Sequence, residues 1–150
     1  MKNFNLADFP LKTYDKLRYA DTDRQGHINN ANFSTFLETG RVELLYNPEF
    51  PILTERTSFV IASLKLDFLS EMTWPGQVDI GTGVLKIGKS SLTLYQKLFQ
   101  NEVCVANAET VIVQVDNETR RSAPLTEYAK NTLSRWLLNE IGDENGTASG

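Results

Sequence analysis

Apolar positions along the chain fall into two periods. Phe33, Phe36, Leu37, Gly40 and Leu44 recur at helical spacing and mark one stripe of a long helix. Asn29 or Asn30 can cap its start by accepting an N–H from the first turn, and Asn47-Pro48 ends it. About sixteen residues make a rod about 24 Å long. Glu38, Arg41 and Glu43 fall away from the centre of the stripe. Gly40, inside it, forfeits about 1 kcal/mol of helix propensity relative to alanine. A close approach to another backbone would account for it.

Elsewhere the period is two. Tyr14 to Ala20 reads as a strand with Leu17 and Tyr19 on one face. After a loop through Arg56 come four more strand-like runs. Leu64, Leu66 and Phe68 alternate with Lys65 and Asp67 within Ser58 to Leu69. Trp74-Pro75-Gly76 is a turn, Val78 to Ile87 a strand, Gly88-Lys89 a hairpin, and Ser91 to Phe99 a strand with Leu92, Leu94 and Leu98 on one side. Asn101-Glu102 turns into Val103 to Val115, the most β-branched run. Long strands with short turns predict an antiparallel meander. Pro124 opens a last helix along which Ala129, Leu133, Trp136 and Leu137 align, with Gly142 as its end. Met1 to Pro10 reads as a mobile lead-in. One domain over 1–142 and a small, polar, disordered tail over 143–150 follow, with no internal repeat. One long helix against one antiparallel sheet is an α+β layer arrangement.

Between the first strand and the long helix the pattern breaks into a polar cluster: Asp21, Asp23, Gly26, His27, Asn29 and Asn30. Taken singly, these are ordinary turn and cap residues, and His27 an ordinary loop histidine. Asp21 to Asn29 also follows a calcium loop, with carboxylates at positions 1 and 3 and glycine at 6. Position 12 is Asn32, though, where a bidentate glutamate belongs, and the upstream segment reads as a strand. A third reading is acyl transfer to water. A carboxylate beside a helix N-terminus activates water or attacks a carbonyl, while backbone N–H groups hold the oxygen as it gains charge. One such donor is worth roughly 3 kcal/mol. A thioester suits so sparse a site, because a thiolate leaves with little acid help.

Charge and composition narrow the partners. The 150 residues carry a net charge of −4, which argues against bulk attraction to nucleic acid or anionic membranes. No apolar run approaches the roughly 20 residues of a membrane span. Met1-Lys2-Asn3 leads into no signal-like apolar region, so a cytoplasmic location is expected. The single cysteine, Cys104, excludes an intrachain disulfide and a cysteine-based zinc site, and its apolar run marks a small core residue.

The stretch Arg18-Tyr19-Ala20-Asp21-Thr22-Asp23-Arg24-Gln25-Gly26-His27-Ile28-Asn29-Asn30, with Phe33, Glu38 and Arg41 after it, resembles hotdog-fold acyl-CoA thioesterases of the 4-hydroxybenzoyl-CoA thioesterase family. The Gly-His-Ile-Asn-Asn form is most similar to the branch holding bacterial long-chain acyl-CoA and plant acyl-ACP thioesterases. The likeness spans about residues 13–125, including Trp74-Pro75-Gly76, Ile87 to Ser91 and Arg120 to Pro124. It implies a long central helix wrapped by a curved antiparallel sheet of about five strands, with a short C-terminal helix. It also implies hydrolysis of acyl-CoA, or of acyl-ACP, by a homodimer with sites between subunits; tetramers also occur in the family. No metal or redox cofactor is implied.

Carried over by residue, the resemblance makes Asp23 the general base or nucleophile, puts the carbonyl-polarising N–H on Asn30, and counts Gly26 with Asn30 among the substrate-binding residues. His27 becomes a helper that orients water or the carboxylate, and Asp21 a brace for the loop. Lys89 and Ser90, in the hairpin, are candidates for the phosphates of CoA, with Arg120 and Arg121 a weaker second pair. Plant-type members carry asparagine where this chain has Gln25, so no role is assigned there. Glu38 and Arg41, three apart on the helix, are expected to pair. Two rival functions keep the same fold: a module that binds acyl-CoA without cleaving it, and a hydratase or dehydratase acting on enoyl or β-hydroxy thioesters.

Overall fold

Five strands and two helices follow one another in a computed structural model that describes residues 3–139. They are β1 (Leu11–Lys16), α1 (Asn30–Leu45), β2 (Thr57–Phe68), β3 (Gln77–Ile87), β4 (Ser91–Gln100), β5 (Val103–Asp116) and α2 (Glu127–Leu133). The strands form one antiparallel sheet in the order β1-β3-β4-β5-β2. The expected meander therefore holds for β3 to β5 only. β2, first of the four in sequence, crosses to the far edge and pairs with β5, while β1 takes the opposite edge. The expected domain boundary and tail, from Gly142 onward, lie outside the described residues.

Helix α1 lies on the sheet where its apolar stripe dictates. Phe33, Phe36, Leu37 and Leu44 are buried with Ile80, Leu92, Leu94 and Leu98. Gly40 sits at the closest approach, but what it meets is side chains and not a backbone. A Cβ there would lie 2.5 Å from Thr82 Oγ1, 2.7 Å from Gln96 Nε2 and 2.8 Å from Ile80 Cγ2. Gln96 Nε2 uses this closeness to donate to Leu37 O and Thr82 Oγ1, both at 3.0 Å, tying helix to sheet. Arg41, expected to fall away from the stripe, is instead only 9% exposed.

Near both ends of the described residues the chain reaches the outer face of the sheet. Phe4 and Phe9, in the expected mobile lead-in, are buried with Tyr95, Phe99 and Leu138. Lys97 Nζ donates to Phe4 O at 2.8 Å. The alternation in β4 showed one apolar face, but aromatic side chains cover the other as well. The first strand ends at Lys16 and not at Ala20, because Arg18 and Asp21 fold a 3-10 turn over Tyr19–Asp21. α2 begins after Thr126, whose side chain caps Ala129 N, and ends at Leu133, with a 3-10 turn over Ser134–Trp136.

Candidate active site

The polar loop owes its shape to a carboxylate that faces inward. Asp21 is 3% exposed. Its Oδ2 accepts from Arg18 N (3.1 Å) and Nε (3.4 Å), and its Oδ1 accepts from Arg18 Nη2 (3.1 Å) and Asn32 Nδ2 (3.2 Å). A buried charge is tolerable only when paired and hydrogen-bonded this fully. Asp21 O also accepts from Asn29 N at 2.8 Å, so the loop's start is fastened to the helix's start. The brace expected of Asp21 is what its contacts describe, and those contacts leave no carboxylate at position 1 of a calcium loop.

Asp23 is built the other way. Residues 23–27 close a small hairpin: Asp23 N donates to His27 O at 2.8 Å, and Thr22 and Ile28 bridge beneath it. Gly26 makes the reversal at φ +82°, a conformation that side chains other than glycine's resist. Asp23 Oδ1 accepts from Gln25 N (2.8 Å) and His27 N (3.1 Å). Its Oδ2 has no hydrogen-bond partner among the described residues, and the residue is exposed. One oxygen is thus fixed by amides, and the other is without a protein partner among the described residues.

The loop rests on the segment after β2. Ile28 N donates to Met72 O at 2.7 Å and Trp74 N to Gly26 O at 3.4 Å. His27 Nε2 lies 3.2 Å from Glu71 Oε1. Sequence reasoning missed Glu71, which lies 44 positions from its partner (71 minus 27) and carries no local signature. Tyr19 and Trp74 meet edge to face, 5.3 Å between centroids. Asn29 caps α1 through its side chain, which accepts from Ala31 N at 2.9 Å. Asn30 is the first helical residue, and its N–H is one of the four that a helix start leaves without an internal partner.

These parts wall an open cleft of about 610 Å³, polar along Asp23, His27, Asn30 and Glu71, apolar along Phe33, Phe68 and Met72. The structure so brings together Asp23, Gly26, His27 and Asn30. It does not bring Lys89 or Ser90 to them. Their hairpin is at the far end of β3, where Leu125 N donates to Lys89 O and Gln114 N to Ser90 O, both at 2.8 Å. Eleven residues of β3 separate it from the cleft, roughly 30 Å of strand. Arg121 is at that same end, its O accepting from Asp116 N at 2.8 Å. Glu38 and Arg41 make no ion pair within 4 Å among the described residues, against the expected pairing. Among the described residues, no three His, Cys, Asp or Glu side chains gather to hold a metal ion.

A long helix laid on a five-stranded antiparallel sheet is the hotdog arrangement. Residues 17–137 match the profile of the Thioesterase-like superfamily, and the chain belongs to that family. It is 27% identical over 118 residues to the acyl-CoA thioester hydrolase YbgC of Escherichia coli O6:H1, covering 76% of this chain and 85% of that protein. Among solved structures, a predicted thioesterase from Bacillus stearothermophilus is 30% identical, with a TM-score of 0.76 over 84% of this chain and 95% of that one. A Thermus thermophilus thioesterase complexed with coenzyme A and Zn is 26% identical, with a TM-score of 0.69 over 84% and 92%. The expected family and fold are borne out by these matches. Among the described residues, no helix is long and apolar enough to cross a membrane.

Proposed function

We propose that this protein hydrolyses acyl-CoA to a free acid and CoA, with Asp23 as the reacting carboxylate. The observation that carries the reading is the unshared Oδ2 of Asp23 beside the first turn of α1, on one open cleft. The thioester carbonyl lies against the Asn30 N–H, which holds the oxygen as it becomes negative. Asp23 either takes a proton from water as that water attacks the carbonyl carbon, or attacks the carbon itself to form an anhydride that water then opens; in both routes the C–S bond breaks and a thiolate leaves. His27, held by Glu71, orients the water. Gly26 keeps the hairpin tight enough for Asp23 to face the helix. Acyl-ACP presents the same phosphopantetheine thioester and is the sister substrate. The cytoplasm, where both carriers meet their enzymes, is the location that goes with this reading.

The functional unit in this proposal is a homodimer. β2 has a partner along one edge only, and its Val60, Ile61, Leu64 and Phe68 are exposed. A long apolar edge of this kind is a site of strand pairing. A second copy seated there buries it, and brings the basic hairpin end of one protomer within range of the other's cleft. Lys89, Ser90 and Arg121 then meet the phosphates of CoA from across the interface. Pairs of such dimers give the tetramers known in the family.

Release of free thiol from an acyl-CoA, followed with a thiol-reactive dye, tests the function. Turnover is expected. Saturable binding without thiol release would favour the non-catalytic module, and hydration of an enoyl-CoA without thiol release would favour the hydratase. Sedimentation of the wild type and of Ile61→Lys tests the assembly: a dimer that the lysine dissociates is expected, and a wild-type monomer would contradict it.

A further inference from the structure

Two aromatic pairs join α1 to β2 beyond the helix start. Phe33 meets Phe68 edge to face at 5.2 Å, and Tyr46 meets Phe59 at 6.4 Å. α1 and β2 therefore run antiparallel along a common seam, whose strand side offers Phe59, Ile61, Leu64, Leu66 and Phe68. One end of that seam is the cleft. The other is a second hollow of about 160 Å³ bounded by Glu38, Arg41, Leu45, Phe59, Ile61 and Ile112.

Arg41 is out of place in that hollow. Its guanidinium is buried among apolar side chains, and Nη1 has no hydrogen-bond partner among the described residues. Burial lowers its pKa, and nearby Glu38 partly offsets this. Gln96 Oε1 and Thr110 Oγ1 are likewise buried and unpartnered on the helix side of the sheet. Thr110 pairs across β5 and β2 with Leu64, and lies two residues from Ile112, on the same face. Buried polar groups are satisfied as a rule, so a donor left open at the end of an apolar seam calls for an acceptor that arrives with a ligand.

We propose that Arg41 is a specificity-determining residue that binds an oxygen on the distal part of the acyl chain. This rests on the acyl-CoA reading above. With the thioester at Asn30, the chain follows the seam toward Arg41. Arg41 is eleven positions after Asn30 on α1, about 16 Å along the axis, and the arginine side chain leans back toward the helix start. A medium-length chain spans that distance. Glu38 borders the same hollow and would repel a second carboxylate, which favours a neutral hydroxyl. A hydroxyl accepts from Nη1 and has a proton to donate in turn. A plain hydrocarbon end leaves Nη1 desolvated and unpaired, so a site of this kind discriminates by loss as much as by gain.

The test is binding of non-hydrolysable thioether analogues of acyl-CoA by calorimetry, so that it does not depend on turnover. Three analogues of one medium chain length are compared: saturated, hydroxylated near the far end, and carboxylated at the end. The wild type is expected to bind the hydroxylated chain at least ten-fold more tightly than the saturated one, with the carboxylated chain between them. Arg41→Met, which keeps the volume, is expected to bring the ratio near one, and Arg41→Lys to restore part of it. Thermal unfolding of each variant identifies any that fail to fold, and the wild-type ratio stands without them. Analogues that bind the wild type without discrimination would overturn the inference and leave the acyl-CoA reading intact. Failure of every analogue to bind would remove that reading as well. Equal binding together with dissociation of the dimer in Arg41→Met would overturn the inference by giving the guanidinium to the contact between copies.

Discussion

The imidazole Nε2 of His27 lies 3.2 Å from Glu71 Oε1, while its backbone N–H donates to Asp23 Oδ1 at 3.1 Å. One residue thus holds the proposed reacting carboxylate through its main chain and a second carboxylate through its side chain. Neutralising Glu71 loosens the imidazole, and removing His27 deletes it. Both His27→Ala and Glu71→Gln are expected to reduce kcat, with the double variant no worse than His27→Ala alone. The partly exposed pair limits the coupling to about 1 kcal/mol. A double-mutant cycle on kcat/KM checks this; fully additive losses would mean that the two act separately.

Gly26 carries φ +82° with nothing within 4 Å of a built Cβ. Any penalty there is backbone strain and not collision. Gly26→Ala is expected to cost about 1–2 kcal/mol, and Gly26→Asn less, because asparagine tolerates the left-handed region. Urea unfolding measures the stabilities. A matching fall in kcat for Gly26→Ala, with Gly26→Asn nearer the wild type, follows if the hairpin sets the position of Asp23.

At Gly40 the two effects of a methyl group oppose each other. Alanine recovers about 1 kcal/mol of helix propensity, but its Cβ would fall 2.5 Å from Thr82 Oγ1 and 2.7 Å from Gln96 Nε2. Overpacking of this kind costs about 1–3 kcal/mol, and the shift would also break the Gln96 bond to Leu37 O. Gly40→Ala is therefore expected to destabilise the fold, read as a lower urea midpoint. A rise in the midpoint would show that the helix has room to lift from the sheet.

These particulars separate what the sequence carried from what it did not. The stripe from Phe33 to Leu44 and the β-branched strands are local periodicities, and the elements appeared within a few residues of their expected bounds. The order of strands depends on which edges meet after the chain has crossed over, so β2 could not be placed from its own residues. The burial of Phe4 and Phe9 depends on Tyr95 and Phe99, far along the chain, and short leading segments show no period of their own. In the site, the hairpin residues 21–30 are contiguous and were legible together. Glu71 reaches the site only through the docking of Met72 on Ile28. Arg41 reads as polar on a helical wheel, yet it is buried at a hollow bounded by Leu45, Phe59 and Ile112, which a wheel of α1 alone does not show.

Burial raises the pKa of the Cys104 thiol, partly offset by Lys97 and by a backbone hydrogen bond with Ala106. Burial likewise raises that of the Tyr95 phenol. Both are acids that stay protonated in the fold at a pH where the unfolded chain ionises them. Their contribution to stability is complete below the unfolded thiol pKa of about 8.5 and declines as pH rises above it. Stability is expected to fall on the alkaline side, with a shallower fall in Cys104→Ala, as followed by urea midpoints from pH 7 to 10. Native Cys104 is expected to alkylate much more slowly at pH 8 than in urea. Equal rates in the two conditions would contradict the burial argument.

The most direct measurement of the central claim is the rate of thiol release from an acyl-CoA by Asp23→Asn. Asparagine keeps the size of the side chain and an oxygen for the Gln25 and His27 amides, so the hairpin is expected to fold as before. It removes the negative charge that activates water or attacks the carbonyl. The account predicts a fall in kcat of at least 100-fold, as expected for removal of a general base or nucleophile, with KM and the unfolding midpoint little changed. A variant that releases thiol at the wild-type rate would contradict it.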